Sequence, residues 1–157
     1  MSKESDMWVQ TLTTVKVWQA VTFPNAMPAA PVVILDALTV KKKSGVKAVT
    51  STGCDMSSEV LQVHVLILEY GYDSGGSSHP EIDAGKNQIT ASKVYQTISF
   101  NSTFSAAPIV CTSYEGATAG GKNTSVYNIT TTGCQLANDV ANDYTHWIAV
   151  PAGAFGF

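Results

Sequence analysis

Charge is what this chain has least of. Asp, Glu, Lys and Arg together make up 13% of its 157 residues, about half the roughly 25% usual in a globular domain. The net charge is −3, and the clustered cations that phosphate binding requires are missing, which excludes a nucleic-acid partner. The one basic run, Lys41-Lys42-Lys43, stands before Ser44-Gly45 and reads as a solvated hairpin tip. No apolar stretch approaches the ~18 residues of a membrane-spanning helix, so no membrane insertion is expected. The opening Met-Ser-Lys-Glu-Ser-Asp lacks the apolar segment of a signal peptide, and synthesis in a reducing cytoplasm is expected. Three cysteines cannot all pair. Cys54 and Cys134 each follow a glycine at the same point of a repeated pattern, and both read as small buried hydrophobes, not disulfide partners or metal ligands.

Catalytic signatures are missing as well. There is no Gly-x-Ser-x-Gly, no paired-histidine motif and no Cys-x-x-Cys. Of the three histidines, His64 and His146 fall at matched strand positions and read as structural or interfacial, while His79 lies beside a proline in a loop. Asp139 and Asp143 stand four apart between strands, a spacing typical of turn-forming carboxylates. The reading is a protein that is not an enzyme and has neither cofactor nor metal.

What the chain does have is an internal duplication. Trp18-Gln-Ala-Val-Thr-Phe23 is echoed by Tyr95-Gln-Thr-Ile-Ser-Phe100, and Met27-Pro-Ala-Ala-Pro31-Val-Val by Phe104-Ser-Ala-Ala-Pro108-Ile-Val. Thr50-Ser-Thr-Gly53-Cys54 returns as Thr130-Thr-Thr-Gly133-Cys134, and Val63-His-Val-Leu-Ile as Thr145-His-Trp147-Ile-Ala. The offset drifts from 77 to 80 to 82 residues, each gain falling in a polar loop, as expected of a duplicated unit.

Short β-branched runs punctuated by Gly, Pro and Asn predict an all-β fold of two tandem small antiparallel β-sandwiches. Residues 1–16 form an N-terminal arm, 17–71 the first repeat, 72–93 a Gly/Ser-rich linker, and 94–157 the second repeat with a C-terminal tail. Within the first repeat the spacing predicts strands at Trp18–Phe23, at Val32–Leu35 opened by Pro31, at Val46–Ser51 after a Ser44-Gly45 turn, and at Val60–Tyr70. The second repeats the plan at Val94–Phe100, Ile109–Tyr114, Ser125–Thr131 and Tyr144–Val150. Phe23, Phe100, Pro31, Pro108, Cys54, Cys134 and Trp147 are the expected core, with the Trp147 ring under the strand that Pro108 opens. Gly53 and Gly133 are expected at positive φ or in a bulge. Trp8, Leu12, Phe155 and Phe157 lie outside the repeated pattern and are expected to be covered by a partner surface.

The order Ile98-Ser-Phe, Phe104-x-x-Ala-Pro-Ile-Val, Tyr127-Asn-Ile-Thr-Thr-Thr-Gly and Trp147-Ile-Ala resembles the H-type lectin domain. It is also similar to the lectin-like domains at the C-terminal ends of bacteriophage tail fibres. The likeness covers 95–153 and, more weakly, 18–71. It implies six-stranded antiparallel sandwiches, assembly as a homotrimer, and recognition of surface glycans near subunit boundaries. Two positions depart from the pattern: the usual Gly-Phe is Gly-Cys in both repeats, and the sugar-contacting Trp-His pair is missing from 137–144. Carried over by position, the resemblance implies carbohydrate contacts at Asp139, Asn142, Asp143 and Tyr144. The function expected is that of a bacteriophage virion protein, structural or adhesive, in a tail fibre, tail tip or capsid decoration. It would be made in the host cytoplasm, with other virion proteins as partners. The alternative is a soluble lectin for galactose-type sugars.

Overall fold

Twelve strands and no helix account for the regular structure of the described residues, 5–37, 42–68 and 82–151 of a computed structural model. In chain order they are β1 (Ser5–Thr11), β2 (Gln19–Thr22), β3 (Val32–Ala37), β4 (Ser44–Lys47), β5 (Gly53–Ser58) and β6 (Gln62–Leu68), followed by β7 (Asp83–Gln88), β8 (Gln96–Ser99), β9 (Ile109–Glu115), β10 (Thr124–Tyr127), β11 (Gly133–Asn138) and β12 (Tyr144–Val150). The all-β architecture, with paired sheets enclosing apolar cores, is consistent with a β-sandwich.

In the first half, β1-β6-β3 form one sheet and β2-β5-β4 another, and both contribute to one core, with Val33, Val63, Val65 and Ile67 from the former and Val21, Val46, Cys54 and Met56 from the latter. The second half repeats this with β7-β12-β9 against β8-β11-β10, around Phe100, Phe104, Leu136 and Trp147. The loops repeat down to single hydrogen bonds. Phe23 N–H donates to Thr52 O as Phe100 N–H does to Thr132 O, and Lys16 N–H to Ser58 O as Lys93 N–H to Asn138 O. The Thr50 hydroxyl donates to Gly53 O and accepts from Gly53 N–H, and Thr130 treats Gly133 identically.

The arm, whose loose alternation from Trp8 to Trp18 fits a strand with one buried face, and the stretch read as linker both carry strands. β1 pairs with β6 along its whole length, and β7 pairs with β12 from Asp83 to Gln88. Trp8 is half-buried against Phe23 and Leu12 is fully buried, so both belong to the first core and neither awaits a partner. The Asp-Ala-Gly-Lys-Asn composition of β7 hid it. Asp83 is buried because its carboxylate accepts from Asn101 N–H, the Asn101 side-chain amide and Ser102 N–H, at 2.5, 2.6 and 3.1 Å. Gly85 is glycine because the Trp147 indole lies on it: an added Cβ would sit 2.7 Å from Cζ2.

That glycine reveals an exchange. Each core holds one tryptophan packed against the equivalent phenylalanine, Trp8 edge-on to Phe23 and Trp147 tilted against Phe100, with centroids 6.0 and 5.4 Å apart. The indole comes from the first strand in one half and from the last strand in the other. Its cross-strand partner is Val65 for Trp8 and Gly85 for Trp147. Both indole N–H groups donate to the same repeat position, Gln10 and Asn87. The Trp147 ring lies over β7 and against Phe100, in the core to which the strand Pro108 opens contributes Val110.

Other expectations also shift. Ser44 and Gly45 are strand, not turn, because the Tyr114 ring packs where a Cβ of Gly45 would be. β5 and β11 escaped the reading because Gly, Asp, Ser and Asn give them little β-propensity. Gly53 and Gly133 do not have positive φ; the left-handed residues of that corner are Ala48 (φ 49°) and Asn128 (φ 48°). Each glycine is instead a close approach, where a Cβ would collide with the backbone carbonyl of Val21 or Ile98. Glu69–Tyr70, Lys41 and the tail with Phe155 and Phe157 lie outside the described residues.

The halves are joined through a strand pair, an apolar cluster and side-chain hydrogen bonds, among other contacts. β4 pairs in parallel with β9, making one six-stranded sheet β2-β5-β4-β9-β12-β7. A third apolar cluster of Val32, Leu68, Ala84 and Ile148, flanked by Ile34, Leu66, Ile82 and Val150, lies between the outer faces. This explains the continuous apolar run Val32-Val-Ile-Leu35: one face fills the first core and the other fills the junction. Full burial of each such side chain contributes about 1.5–3 kcal/mol. Finally, the edge of β3 donates Val33 N–H to His146 Nδ1 (2.7 Å) and Leu35 N–H to Ser113 Oγ (3.3 Å), so covering this edge leaves neither N–H unpaired.

Candidate recognition site

The four residues implied as sugar contacts share the β11–β12 loop and the start of β12, but their side chains go to different places. Asp139 accepts from the Asn123 amide at 2.9 Å and from Asn123 N–H at 3.3 Å, closing the loop onto the start of β10. Its counterpart Glu59 does the same for Lys43 N–H at 3.0 Å, and its carboxyl lies below the usual range because of that backbone bond and the nearby lysines. Asn142 is a turn residue with φ 64°, its carbonyl accepting from Gln88. Asp143 accepts the hydroxyl of Tyr114 at 2.5 Å, and burial, aided by that bond, pushes the phenol's pKa up. Tyr144 is 37% exposed, with the Lys86 ammonium 4.9 Å from its ring centre. The structure thus sends these side chains to different partners, and Asp139 lines a cleft.

That cleft, of about 130 Å³, is bounded by Lys93, Tyr95, Asn123, Ser125, Asn138 and Asp139. Tyr95 is 46% and Tyr127 62% exposed, and the two rings contact each other with centroids 5.4 Å apart. An exposed aromatic pair beside an amide, a carboxylate, a hydroxyl and an ammonium offers an apolar platform with polar groups at its rim. From sequence Tyr95 marked the repeat and Tyr127 the motif of the family resemblance, and neither was read as a contact residue. The signal that could have singled them out is their pairing by offset with Trp18 and Lys47, which likewise touch, the Lys47 ammonium lying 4.8 Å from the Trp18 ring.

In the first half the matching corner is closed. The loop after β9 lies across it, with Trp18 Nε1–H donating to Ala117 O (3.2 Å) and Gly120 N–H to Ser57 Oγ (2.7 Å). Gly121, at φ 76°, rests on the Ser44 backbone with no room for a Cβ. The duplication therefore yields one covered corner and one open one.

A cluster of hydrogen-bonded ionisable groups, His146, Glu115 and Lys86, lies elsewhere, at the junction. His146 is fully buried; Nδ1 accepts from Val33, so Nε2 carries the proton and donates to the Glu115 carboxylate. Lys86 reaches the same carboxylate at 3.1 Å. Burial pushes the imidazole's pKa down despite Glu115. For Glu115, burial pulls upward, and the bonds from His146 and Lys86 outweigh it, holding the carboxyl below its usual value. With both ring nitrogens engaged, His146 serves the junction. His64, its counterpart, is exposed.

The expected core residues Phe23, Pro31, Cys54, Phe100, Pro108, Cys134 and Trp147 are all buried, and both of these cysteines are free. Among the described residues no cluster of His, Cys, Asp and Glu could hold a metal ion. No family model, curated protein or solved structure matches the chain.

Proposed function

We propose that this chain is an assembly and surface-recognition module of a bacteriophage virion, built as two H-type-lectin-like β-sandwiches in tandem. The observation that carries the reading is the open corner of the second half. The same corner of the first half is spent on holding the two halves together, while Tyr95, Tyr127 and the polar rim are left to solvent. The motif order shared with phage tail-fibre lectin-like domains supports the virion assignment. The alternative, a soluble lectin for galactose-type sugars, draws on the same corner. In both readings recognition centres on Tyr95, Tyr127, Asn123 and Asp139, with Tyr144 on a separate surface. The protein works as a homotrimer with other virion proteins as neighbours, and its groups serve binding, not catalysis.

A glycan array with the full chain tests recognition. Binding lost on Tyr95→Ala and Tyr127→Ala but kept on Tyr144→Ala is expected. Binding that survives both of the first two, or its absence for the unaltered chain, overturns a sugar site at this corner. Mass spectrometry of phage particles made from the encoding genome tests the virion assignment, which fails if the chain is not among their proteins. Sedimentation equilibrium tests the trimer, and a monomer at micromolar concentration refutes it.

A further inference from the structure

Among the described residues β1 is the edge of its sheet, and none of its own side chains resists another strand. Sheet edges are commonly guarded by lysine, proline or a bulge, yet Ser5-Asp6-Met7-Trp8-Val9-Gln10-Thr11 carries one charge, Asp6, already engaged by Met7 N–H and Asn25. Its counterpart β7 carries Lys86 and the buried Asp83. The outward side chains of β1 are apolar where it matters: Met7 is 74% and Val9 51% exposed. Across the sheet, Met7 lies opposite Leu66 and Leu66 opposite Ile34. Leu66 and Ile34 pack on the junction cluster, so the exposed side chain of Met7 is the uncovered rim of an apolar face whose other end is buried between the halves. The matching position to Met7 in the second half is Ala84, which is buried in that cluster.

We propose that β1 is an interface for a second copy of this chain, with the two β1 strands pairing antiparallel about a twofold axis through Trp8. An edge strand that meets itself across a twofold is antiparallel by necessity, and the contact is closed, leaving no edge to propagate. Centring on Trp8 pairs all seven residues. It sets Met7 of one chain opposite Val9 of the other on the outward face and sets Asp6 opposite Gln10, so no like charges are opposed. Two three-stranded sheets become one of six, and the apolar rim of each chain is covered by the other's.

The surface is distinct from the Tyr95 corner, and its test is separate. Sedimentation velocity over a concentration series is expected to show the full chain doubling in mass at high concentration. Met7→Lys with Val9→Lys should abolish that doubling while leaving the circular dichroism and melting temperature unchanged, since both side chains point to solvent. An oligomer held by another surface would be present in both proteins, so equal masses at every concentration overturn the proposal. Register is read by disulfide trapping in a Cys111→Ser background. Mixed Met7→Cys and Val9→Cys proteins should cross-link faster than either alone, and equal rates refute the Trp8-centred pairing. If the unaltered chain is monomeric and Met7 resists peroxide, the face is covered from within the chain and the proposal fails.

Discussion

The exchanged tryptophans make a demanding test of the core. In the second half the indole of Trp147 is 2% exposed, lies over Gly85, touches Phe100 at 5.4 Å and donates to Asn87 at 2.8 Å. Trp147→Val should cost about 3 kcal/mol, the lower end for aromatic truncation in a core, because the cavity over Gly85 cannot collapse against a rigid strand. Gly85→Trp alone should cost at least as much, since a Cβ there would already meet the indole at 2.7 and 2.9 Å. Made together, the two changes recreate the first half's arrangement, in which the indole comes from the first strand, opposite a valine, and finds its acceptor two residues on. A swap that conserves volume should cost less than about 1.5 kcal/mol. The double variant should therefore be more stable than either single one, with a coupling of at least about 2 kcal/mol. Urea denaturation of the full chain, followed by circular dichroism and tryptophan fluorescence, measures all four corners of the cycle. Single effects that simply add, within about 0.5 kcal/mol, would show that the two halves do not share one core plan.

Acid should loosen the junction. The folded His146 has its pKa below the ordinary 6.5, so the unfolded chain takes up a proton first as pH falls; the stabilisation is full above about that value and is lost on descending through the folded pKa. Glu115, held below its ordinary 4.5, adds stability that is full above that point and lost in turn below it. Melting temperature should accordingly decline from near-neutral pH downward, with His146→Gln flattening the upper part of the decline; an unchanged profile in that variant would exclude the junction as the cause. Gly133→Ala should destabilise by about 1–3 kcal/mol through its collision with Ile98 O, whereas Asn128→Gly, at φ 48°, should be nearly neutral. The reverse order in thermal melts would restore a conformational role for that glycine. Burial pushes the Cys54 thiol to about 12 and the Cys134 thiol to about 11, while Cys111 is exposed. A disulfide reagent should titrate one thiol in the folded chain and three in denaturant; more than one in the folded chain would contradict the burial of the matched pair.

The repeat, the all-β class and the core positions were legible because they are written in local chemistry. Pro31 and Pro108 open strands, the Thr-x-Thr-Gly corners bond to themselves, and alternation marks which side chains turn inward. The last strand, Tyr144–Val150, emerges at the expected bounds for that reason. A residue pattern of period two says which face of a strand is apolar; it does not say which edge the strand will pair with or what will lie over its other face. The parallel contact of β4 with β9, the closing of one corner by the loop after β9 and the burial of His146 but not of His64 all depend on how the halves meet. Nor could the sequence show that Asp83-Ala-Gly-Lys-Asn is a strand. Its glycine and its acid look like linker until Trp147 occupies the space of the missing side chain and Asn101 and Ser102 satisfy the carboxylate. Local periodicity determined the two units; the tertiary structure decided which surface of each was spent on joining them and which was left free, because that choice rests on contacts between residues a hundred positions apart, such as Trp18 with Ala117 and Val33 with His146.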